Sequence, residues 1–387
     1  MHQPAHVAIL GAGPVGLDAA LACAERGRPF TVYEAGNSAA AHVRAWGHVR
    51  LFTPWDLDVS PRMRRHLPDA PDGTECPTGA ELAHRLLQPL AELPALAGRV
   101  RYGTRVAAVA RAGLLKHEHI GTDARARAPF TLLLDTADGE ESAEADLVLD
   151  CTGTYAHPNT LGDGGIPAPG ERALGHRITR TLPPLDDPAR WAGTVLLVGA
   201  GKSAQTAARG LAALPGTRLE WVVRAPEPDW GAVPDDTLPG RRQLAEDSES
   251  LRRLGSEGRV TVRTGTRVRS LRPEGERIAV RLGTPDGPHE IRCDHIIALT
   301  GYTGDHTLYR QLQVHECYAT GAPMNLSAAL LASSGGDCLA QPATGIELLR
   351  TPEPNFYILG SKSYGRLNTF LLRTGFQQVD EVAAAVC

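Results

Sequence analysis

The stretch Val7–Ala20 constrains the fold more than any other part of the chain. An apolar run there leads directly into Gly11, Gly13 and Gly16, which have the spacing G-x-G-x-x-G. In a strand, turn and helix unit with this spacing, the first glycine permits a tight turn and the second lets the backbone approach a pyrophosphate. The third lets the helix pack close to the strand. The stretch therefore predicts a dinucleotide-binding unit whose helix N-terminus faces the phosphates.

A second predicted strand, Phe30–Glu34, ends in an acidic residue. Glu34 lies 18 residues beyond Gly16, about where a carboxylate binds the ribose in units of this kind. Because strand, turn, helix, strand and acid occur in this order, a purely structural role for the glycines is the weaker interpretation.

The opening unit is repeated later in the chain. Residues 194–204 again form an apolar run, a glycine turn and a helix start, with Gly199 and Gly201 each 188 positions after the matching glycines. Ala204 replaces the third glycine, and the next strand, Leu219–Arg224, ends in arginine instead of an acid. The sequence therefore predicts two nucleotide-binding units.

The repeat also predicts the domain organisation. Each copy closes with an apolar strand that enters Thr-Gly, at 152–153 and at 300–301. A last strand near 355–360 and a last helix are placed back on the first unit. We therefore expect a discontinuous first domain over 1–160 and 316–387, a Pro- and Gly-rich connector over 161–190, and an inserted domain over 191–315.

Two local motifs have weaker functional interpretations. Gly-Lys-Ser at 201–203 is not a P-loop, because Leu196 stands where that motif needs a glycine. The cluster His117-Glu-His119 has no further ligands near it in sequence, so a solvated loop is favoured and no metal site is expected.

With two such units, the chain resembles the flavoproteins that have two dinucleotide-binding domains. This group includes flavin-containing and Baeyer–Villiger monooxygenases, ornithine and lysine N-hydroxylases, and thioredoxin-reductase-like enzymes. The resemblance covers nearly the whole chain and implies an α/β fold with two Rossmann-like domains, the NAD(P)H domain being inserted into a discontinuous FAD domain. The sequence at 199–204 is similar to the monooxygenase branch, but its F-x-G-x-x-x-H fingerprint is absent, and Gly360-Ser361 stands where the reductase branch has Gly-Asp.

The resemblance implies FAD and NADPH as cofactors and assigns residues to each. For FAD these are Gly11, Gly13, Pro14, Val15, Gly16, Glu34, Val106, Thr152, Gly153 and Gly360. For NADPH they are Gly199, Gly201, Lys202, Ser203 and Arg224. Arg224 also has a direct physical basis, since a guanidinium can bind a 2′-phosphate bidentately where a carboxylate would repel it. A surface arginine without a partner is the alternative.

Two stretches are candidates for a flavin and substrate pocket. Phe52 and Trp55 lie in a segment whose aromatic residues could cover a flavin ring, and a buried packing segment is the alternative. Lys362, Tyr364 and Arg366 lie between the last strand and the last helix, in a predicted loop near the flavin. A solvated turn is the alternative there, and no catalytic acid or base is identified.

Composition narrows the possible partners. The net charge of −4 and the lack of a basic run give no indication of nucleic acid or of a membrane surface. The seven cysteines are scattered and form no C-x-x-C, which argues against a disulfide framework and a redox-active dithiol. We expect a cytoplasmic protein with a small-molecule substrate, with a homodimer as the form of any self-association.

These observations predict an FAD-dependent, NADPH-using monooxygenase that oxidises a nitrogen or sulfur centre of a small molecule. The alternatives are an NAD(P)H-dependent flavin reductase or oxidase without oxygen insertion, and a nucleotide-binding redox sensor without turnover.

Overall fold

A computed structural model describes residues 6–233, 236, 238–254, 258–332 and 345–386. The chain forms two compact units: unit 1 comprises Met1–His157 and Thr303–Cys387, and unit 2 comprises Pro158–Tyr302. The predicted fold class is confirmed, since unit 2 is inserted into a discontinuous unit 1 and each has a parallel sheet.

The structure places the unit boundaries differently from the prediction. The expected connector over 161–190 belongs to unit 2, because Ile178–Thr179 pairs with the parallel sheet of that unit. Residues 303–315 belong to unit 1 and not to the inserted domain.

Sixteen strands are described along the chain. They are β1 Val7–Leu10, β2 Phe30–Tyr33, β3 Val100–Arg101, β4 Arg105–Arg111, β5 Phe130–Thr136, β6 Gly139–Ala145, β7 Leu147–Asp150, β8 Ile178–Thr179, β9 Gly193–Val198, β10 Thr217–Val222, β11 Val260–Arg263, β12 Arg267–Glu274, β13 Arg277–Thr284, β14 Gly287–Cys293, β15 His295–Ala298 and β16 Phe356–Ile358.

The described α-helices are α1 Pro14–Glu25, α2 Ala41–Ala45, α3 Trp55–Asp58, α4 Pro61–His66, α5 Gly79–Leu82, α6 Gln88–Ala91, α7 Asp123–Arg127, α8 Lys202–Ala213, α9 Pro239–Arg253, α10 Met324–Ala332, α11 Ile346–Leu349 and α12 Leu372–Val386. A π-helical turn over Ala83–Leu87 lies between α5 and α6. Short 3₁₀ turns occur at Asp163–Gly165, Gly175–Arg177, Pro188–Trp191, Thr307–Tyr309 and Gly360–Tyr364.

Unit 1 has three layers. Its parallel sheet has the order β16-β7-β1-β2-β3, and β1 and β7 are buried on both faces. Val7 and Ile9 of β1 pack in the core with α1 and α12, whereas Ala8 and Leu10 pack with the antiparallel sheet β4-β5-β6. This alternation follows from the two-residue period of a strand, and it explains why β1 is apolar at every position.

Unit 2 repeats this arrangement. Its parallel sheet has the order β11-β10-β9-β15-β8, and its antiparallel sheet is β12-β13-β14. The strands that flank each glycine turn therefore occupy equivalent places, with β1, β2 and β7 of unit 1 matching β9, β10 and β15 of unit 2. In each unit the carboxyl ends of the parallel strands meet at one edge of the sheet, which is where this class of fold binds nucleotides.

Candidate cofactor-binding and active site

The glycine turn of unit 1 lies between β1 and α1. Gly11 has a φ of +97°, and an added Cβ would lie 2.9 Å from the carbonyl oxygen of Cys151. A Cβ at Gly16 would lie 1.9 Å from the carbonyl oxygen of Gly11. Gly13 differs, since no atom lies within 4 Å of its Cβ position. The fold itself requires Gly11 and Gly16, whereas Gly13 faces open space that a pyrophosphate would fill.

Glu34 lies directly beside this turn. Its buried carboxylate accepts hydrogen bonds from the amides of Ala12 and Gly36, each at 2.7 Å. Each carboxylate oxygen keeps a second lone pair, so it can still accept a ribose hydroxyl. The Thr104 amide donates to the Glu34 carbonyl oxygen at 2.9 Å, and Val106 follows two residues later in β4. The structure therefore brings the predicted ribose residue and the region of Val106 to the same edge as the turn.

Val15 contributes to the core of unit 1. Pro14 and Val15 open α1, as predicted, but the Val15 side chain is buried. A Cβ at Gly375 would lie 2.6 Å from Val15, and one at Gly360 would lie 3.4 Å from it. Only the backbone of Val15, at the helix N-terminus, is therefore suited to a phosphate.

The structure shows a buried ion pair where the sequence predicted a loop. Lys362 Nζ lies 2.5 Å from Asp150 Oδ2 and 3.2 Å from Thr152 Oγ1, and Lys362 and Asp150 are 2% and 0% exposed. Tyr364 is also fully buried and packs edge-on against Phe370. The alternative of a solvated turn does not hold for these two residues, since Lys362 pairs with an aspartate 212 positions away and Tyr364 packs on a nearby ring.

The neighbouring predicted residues have different environments. Arg366 is exposed. Thr152 is exposed and its hydroxyl donates to Asp150 Oδ1 at 2.6 Å. Gly153 follows with a φ of +68°, and its Cβ position is 3.6 Å from the Ser361 hydroxyl. The structure thus places Thr152-Gly153 beside the turn that begins at Gly360.

Phe52 and Trp55, the two aromatic residues predicted to cover a flavin ring, differ in burial. Trp55 is 2% exposed and belongs to the core of unit 1, so it does not line an open pocket, while Phe52 is half-buried. Trp46 instead lies 5.8 Å from Tyr155, ring centroid to ring centroid. The Trp46 indole Nε1 is buried and has no hydrogen-bond partner in the described part of the chain. It is therefore an unsatisfied donor next to the strand end that carries Thr152-Gly153.

Asp58 is a second buried group in this segment. It is 1% exposed and accepts one hydrogen bond, from the Thr53 hydroxyl at 2.8 Å. Its Oδ2 has no hydrogen-bond partner among the described residues. Burial raises the pKa of Asp58 to about 7, which outweighs the opposing effect of the Thr53 hydrogen bond.

The glycine turn of unit 2 repeats the geometry of the first. Gly199 has a φ of +134°, and an added Cβ would lie 2.2 Å from the carbonyl oxygen of Leu299. Gly201, like Gly13, has no atom within 4 Å of its Cβ position. Ala204 is fully buried at the third position, and Ser203 is exposed at the start of α8. The open space is again at the second glycine.

Lys202 stabilises a loop next to this turn. Its ammonium donates to the carbonyl oxygen of Trp230 at 2.8 Å, and Gln205 donates to the same oxygen at 3.0 Å. Burial lowers the pKa of Lys202. Trp230 has a φ of +56° and its indole donates to Glu249 at 3.0 Å. Lys202 is therefore engaged with the protein and can reach a phosphate only through its remaining N–H groups.

Arg224 follows β10 and is exposed. It forms no hydrogen bond, ion pair or ring contact within the described ranges. It lies one position beyond Val223, the counterpart of Glu34, since the Val223 amide donates to the Arg263 carbonyl oxygen as the Glu34 amide does to that of Arg101. A free guanidinium at this place fits a 2′-phosphate.

Five described cysteines are in the thiol form: Cys23, Cys76, Cys151, Cys293 and Cys317. Burial raises the pKa of the Cys151 thiol well above its usual value and that of Cys293 to about 12. Hydrogen bonds from the backbone and side chain of Thr320 instead lower the pKa of Cys317, which is itself buried. The cysteines at 338 and 387 lie outside the described residues.

A sequence profile of the family described as pyridine nucleotide-disulphide oxidoreductase matches residues 8–327. The chain belongs to this family. The family uses FAD and NADPH, which confirms the predicted cofactors and the predicted relationship to flavoproteins with two dinucleotide-binding domains. The chain is therefore a flavin-dependent pyridine-nucleotide oxidoreductase.

Solved structures show the same fold at low sequence identity. A bacillithiol disulfide reductase from Bacillus cereus is 19% identical with a TM-score of 0.71, and the alignment covers 99% of each chain. An ornithine hydroxylase from Pseudomonas aeruginosa is 15% identical with a TM-score of 0.65, covering 99% of this chain and 98% of that one. The thioredoxin reductase of T. acidophilum is 14% identical with a TM-score of 0.60, covering 99% of each chain. No curated protein matches the chain in sequence.

The residues present fit both cofactors. In unit 1 the open Cβ position of Gly13 and the Glu34 carboxylate suit the pyrophosphate and ribose of FAD. In unit 2 the open Cβ position of Gly201 and the free Arg224 guanidinium suit NADPH.

Two further findings bear on other kinds of site. No cluster of three or more metal-ligating side chains occurs in the described ranges. None of the helices described is both long and apolar enough to cross a membrane.

Sequence reasoning missed Asp150 as a residue of the site. Asp150 had a usable signal, since it is an acid at the end of a fully apolar strand directly before Cys-Thr-Gly. Lys362 is also one of only three lysines in the chain, which hinted at a special environment.

Proposed function

We propose that this oxidoreductase is an FAD-dependent, NADPH-using monooxygenase that oxidises a nitrogen or sulfur centre of a small molecule. The observation that carries the proposal concerns the residues that follow β7 in unit 1, Cys151 to Tyr155, which we call the candidate flavin edge. It presents the Trp46–Tyr155 aromatic pair, whereas its thiol, Cys151, is buried and has a strongly raised pKa. A thiol kept protonated is a poor nucleophile, so this edge is suited to holding an aromatic ring system and not to thiol exchange.

The chain's own residues have distinct parts in this proposal. When bound, FAD accepts a hydride from NADPH and supplies the reducing equivalents for the reaction with oxygen. The Gly11–Gly16 turn and Glu34 would hold its pyrophosphate and ribose. Arg224 selects NADPH through its 2′-phosphate.

A second candidate function is reduction of a disulfide without oxygen insertion. It is favoured by Cys317, whose lowered pKa increases the thiolate fraction at neutral pH. It is also consistent with the likeness to the bacillithiol disulfide reductase, although a likeness at 19% identity carries the fold alone.

Measuring NADPH consumption, oxygen consumption and ¹⁸O incorporation separates the two functions. The purified, FAD-loaded protein is supplied with NADPH and a panel of amines, thioethers and thiols under ¹⁸O₂. A monooxygenase consumes NADPH and oxygen in equal amounts with one of these substrates and places one ¹⁸O atom in the product. Oxidation of NADPH under strictly anaerobic conditions with a disulfide acceptor, together with unlabelled products, would instead establish the reductase. A protein that binds both cofactors but turns over neither class would indicate the redox sensor.

A further inference from the structure

The buried pair Lys362–Asp150 joins the start of the candidate flavin edge of unit 1 to the turn that follows β16. Asp150 ends β7, the strand between β1 and β16, and Lys362 lies in the turn that follows β16. The two residues are 212 positions apart in the chain. Thr152-Gly153 follows the first of them, and Gly360-Ser361 precedes the second.

Two N–H groups of the Lys362 ammonium have hydrogen-bond partners, and the residue is only 2% exposed. One faces Asp150 Oδ2 at 2.5 Å, one faces Thr152 Oγ1 at 3.2 Å, and the ammonium lies 5.1 Å from the centre of the Tyr309 ring. A lysine ammonium has three donors, and burial of the residue keeps the third from facing solvent. This argues against Lys362 as an acid or base and in favour of a holding role.

The residues around Lys362 leave room for the aliphatic part of its side chain and hold the turn that carries it. A Cβ at Gly304 would lie 2.6 Å from Lys362 Cγ, so a glycine there leaves room for the buried chain. The turn itself is braced from α12, since Gln378 accepts from the Gly360 amide at 2.8 Å and donates to the Ser363 hydroxyl at 2.9 Å. The lysine is thus fixed at its base, along its stem and at its charged end.

We infer that Lys362, paired with Asp150, is a positioning residue for FAD: it holds Thr152-Gly153 and Gly360-Ser361 in the arrangement that binds the flavin end of the cofactor. The inference rests on the proposed binding of FAD to unit 1, and it is independent of whether the reaction inserts oxygen. Removing the ammonium leaves a buried carboxylate without its cation, and the Thr152 segment must move or take up a proton to compensate.

The test compares three variants as purified apoproteins titrated with FAD. Lys362→Met should raise the Kd for FAD about ten- to hundredfold, the range seen when supporting contacts around a bound metal are lost. It should also change the visible circular dichroism of the bound flavin, while the Kd for NADPH stays at the wild-type value. Lys362→Arg, which keeps the charge, should recover most of the FAD affinity and the wild-type spectrum.

The control is an equally buried pair elsewhere in unit 1. Glu353 pairs with Arg111 and Arg125 before the start of β16, at the opposite end of that strand. Glu353→Gln should lower the unfolding temperature but leave the flavin spectrum and the FAD Kd unchanged. A folded Lys362→Met protein with wild-type FAD affinity and spectrum overturns the inference. A wild-type protein that binds no FAD at all instead overturns the proposed function on which it rests.

Discussion

Gly13→Ala and Gly201→Ala form a crossed pair that tests which unit binds which cofactor. Both glycines precede the first residue of a helix, with φ, ψ of −83°, −175° for Gly13 and −69°, 173° for Gly201, which alanine adopts without strain. Neither Cβ position has an atom within 4 Å in the free protein. We therefore expect both variants to fold, with the free energy of unfolding changed by less than about 1 kcal/mol.

Each substitution should instead weaken the binding of a cofactor. A methyl group at either position occupies the space through which the backbone approaches a pyrophosphate. Losing one or more charge-assisted hydrogen bonds there costs about 1.5–3 kcal/mol, which raises the dissociation constant about 10- to 150-fold. Gly13→Ala should therefore weaken FAD binding and leave NADPH binding unchanged, and Gly201→Ala should do the reverse.

Two titrations measure this outcome, flavin fluorescence for FAD and nicotinamide fluorescence for NADPH, with thermal unfolding of each apoprotein as the check on folding. The reasoning is refuted if both folded variants bind both cofactors as tightly as wild type. A reversed pattern, with FAD lost in Gly201→Ala, would refute the assignment of cofactors to units.

Three other predictions test the remaining residues. Arg224→Ala should raise the Kd for NADPH about tenfold or more and leave that for NADH unchanged, whereas Arg218→Ala, an exposed arginine on the preceding strand β10, should change neither. Gly16→Ala should destabilise the apoprotein by about 3 kcal/mol, because its Cβ would meet backbone; a wild-type unfolding midpoint in urea would contradict this. Burial raises the pKa of Asp58 to about 7, so the folded state keeps a proton that the unfolded chain releases. Stability from that proton is lost as the pH rises towards the folded pKa, and wild type should lose about 1.4 kcal/mol per pH unit more than Asp58→Asn between about pH 5 and about pH 7. Parallel stability curves for the two proteins would show that Asp58 does not titrate in this range.

The parts of the fold that the sequence predicted are those specified by local chemistry. The turn at Gly11 needs a positive φ and close packing, and both requirements leave a mark in the spacing of three glycines. The repeat then allowed the second sheet to be inferred from the first. The strand β8 has only two residues and no recognisable sequence pattern, so the segment around Ile178 resembles a connector.

The parts that were missed depend on contacts between residues far apart in the chain. The sequence Ser-Lys-Ser-Tyr-Gly-Arg is polar and has no period, so it resembles a solvated turn. The structure buries Lys362 because Asp150, at the end of a central strand, provides the opposite charge. Trp55 is likewise buried because the core of unit 1 surrounds it, in agreement with the alternative of a buried packing segment.

The two glycine turns differ in a way that bears on how long each cofactor stays bound. Glu34 is buried and fixed by two backbone amides, so its carboxylate is already oriented before a ribose arrives. Arg224 is exposed and has no partner among the residues described, so its guanidinium must give up rotational freedom when it binds a phosphate. A preoriented group binds with a smaller entropy cost than a mobile one, which favours a tightly held cofactor in unit 1 and an exchangeable one in unit 2. FAD should therefore remain with the protein through purification while NADPH is lost, as expected of an enzyme that keeps its flavin and consumes its reductant. A protein that loses both nucleotides at the same rate on dilution would show that this difference in side-chain order does not control their release.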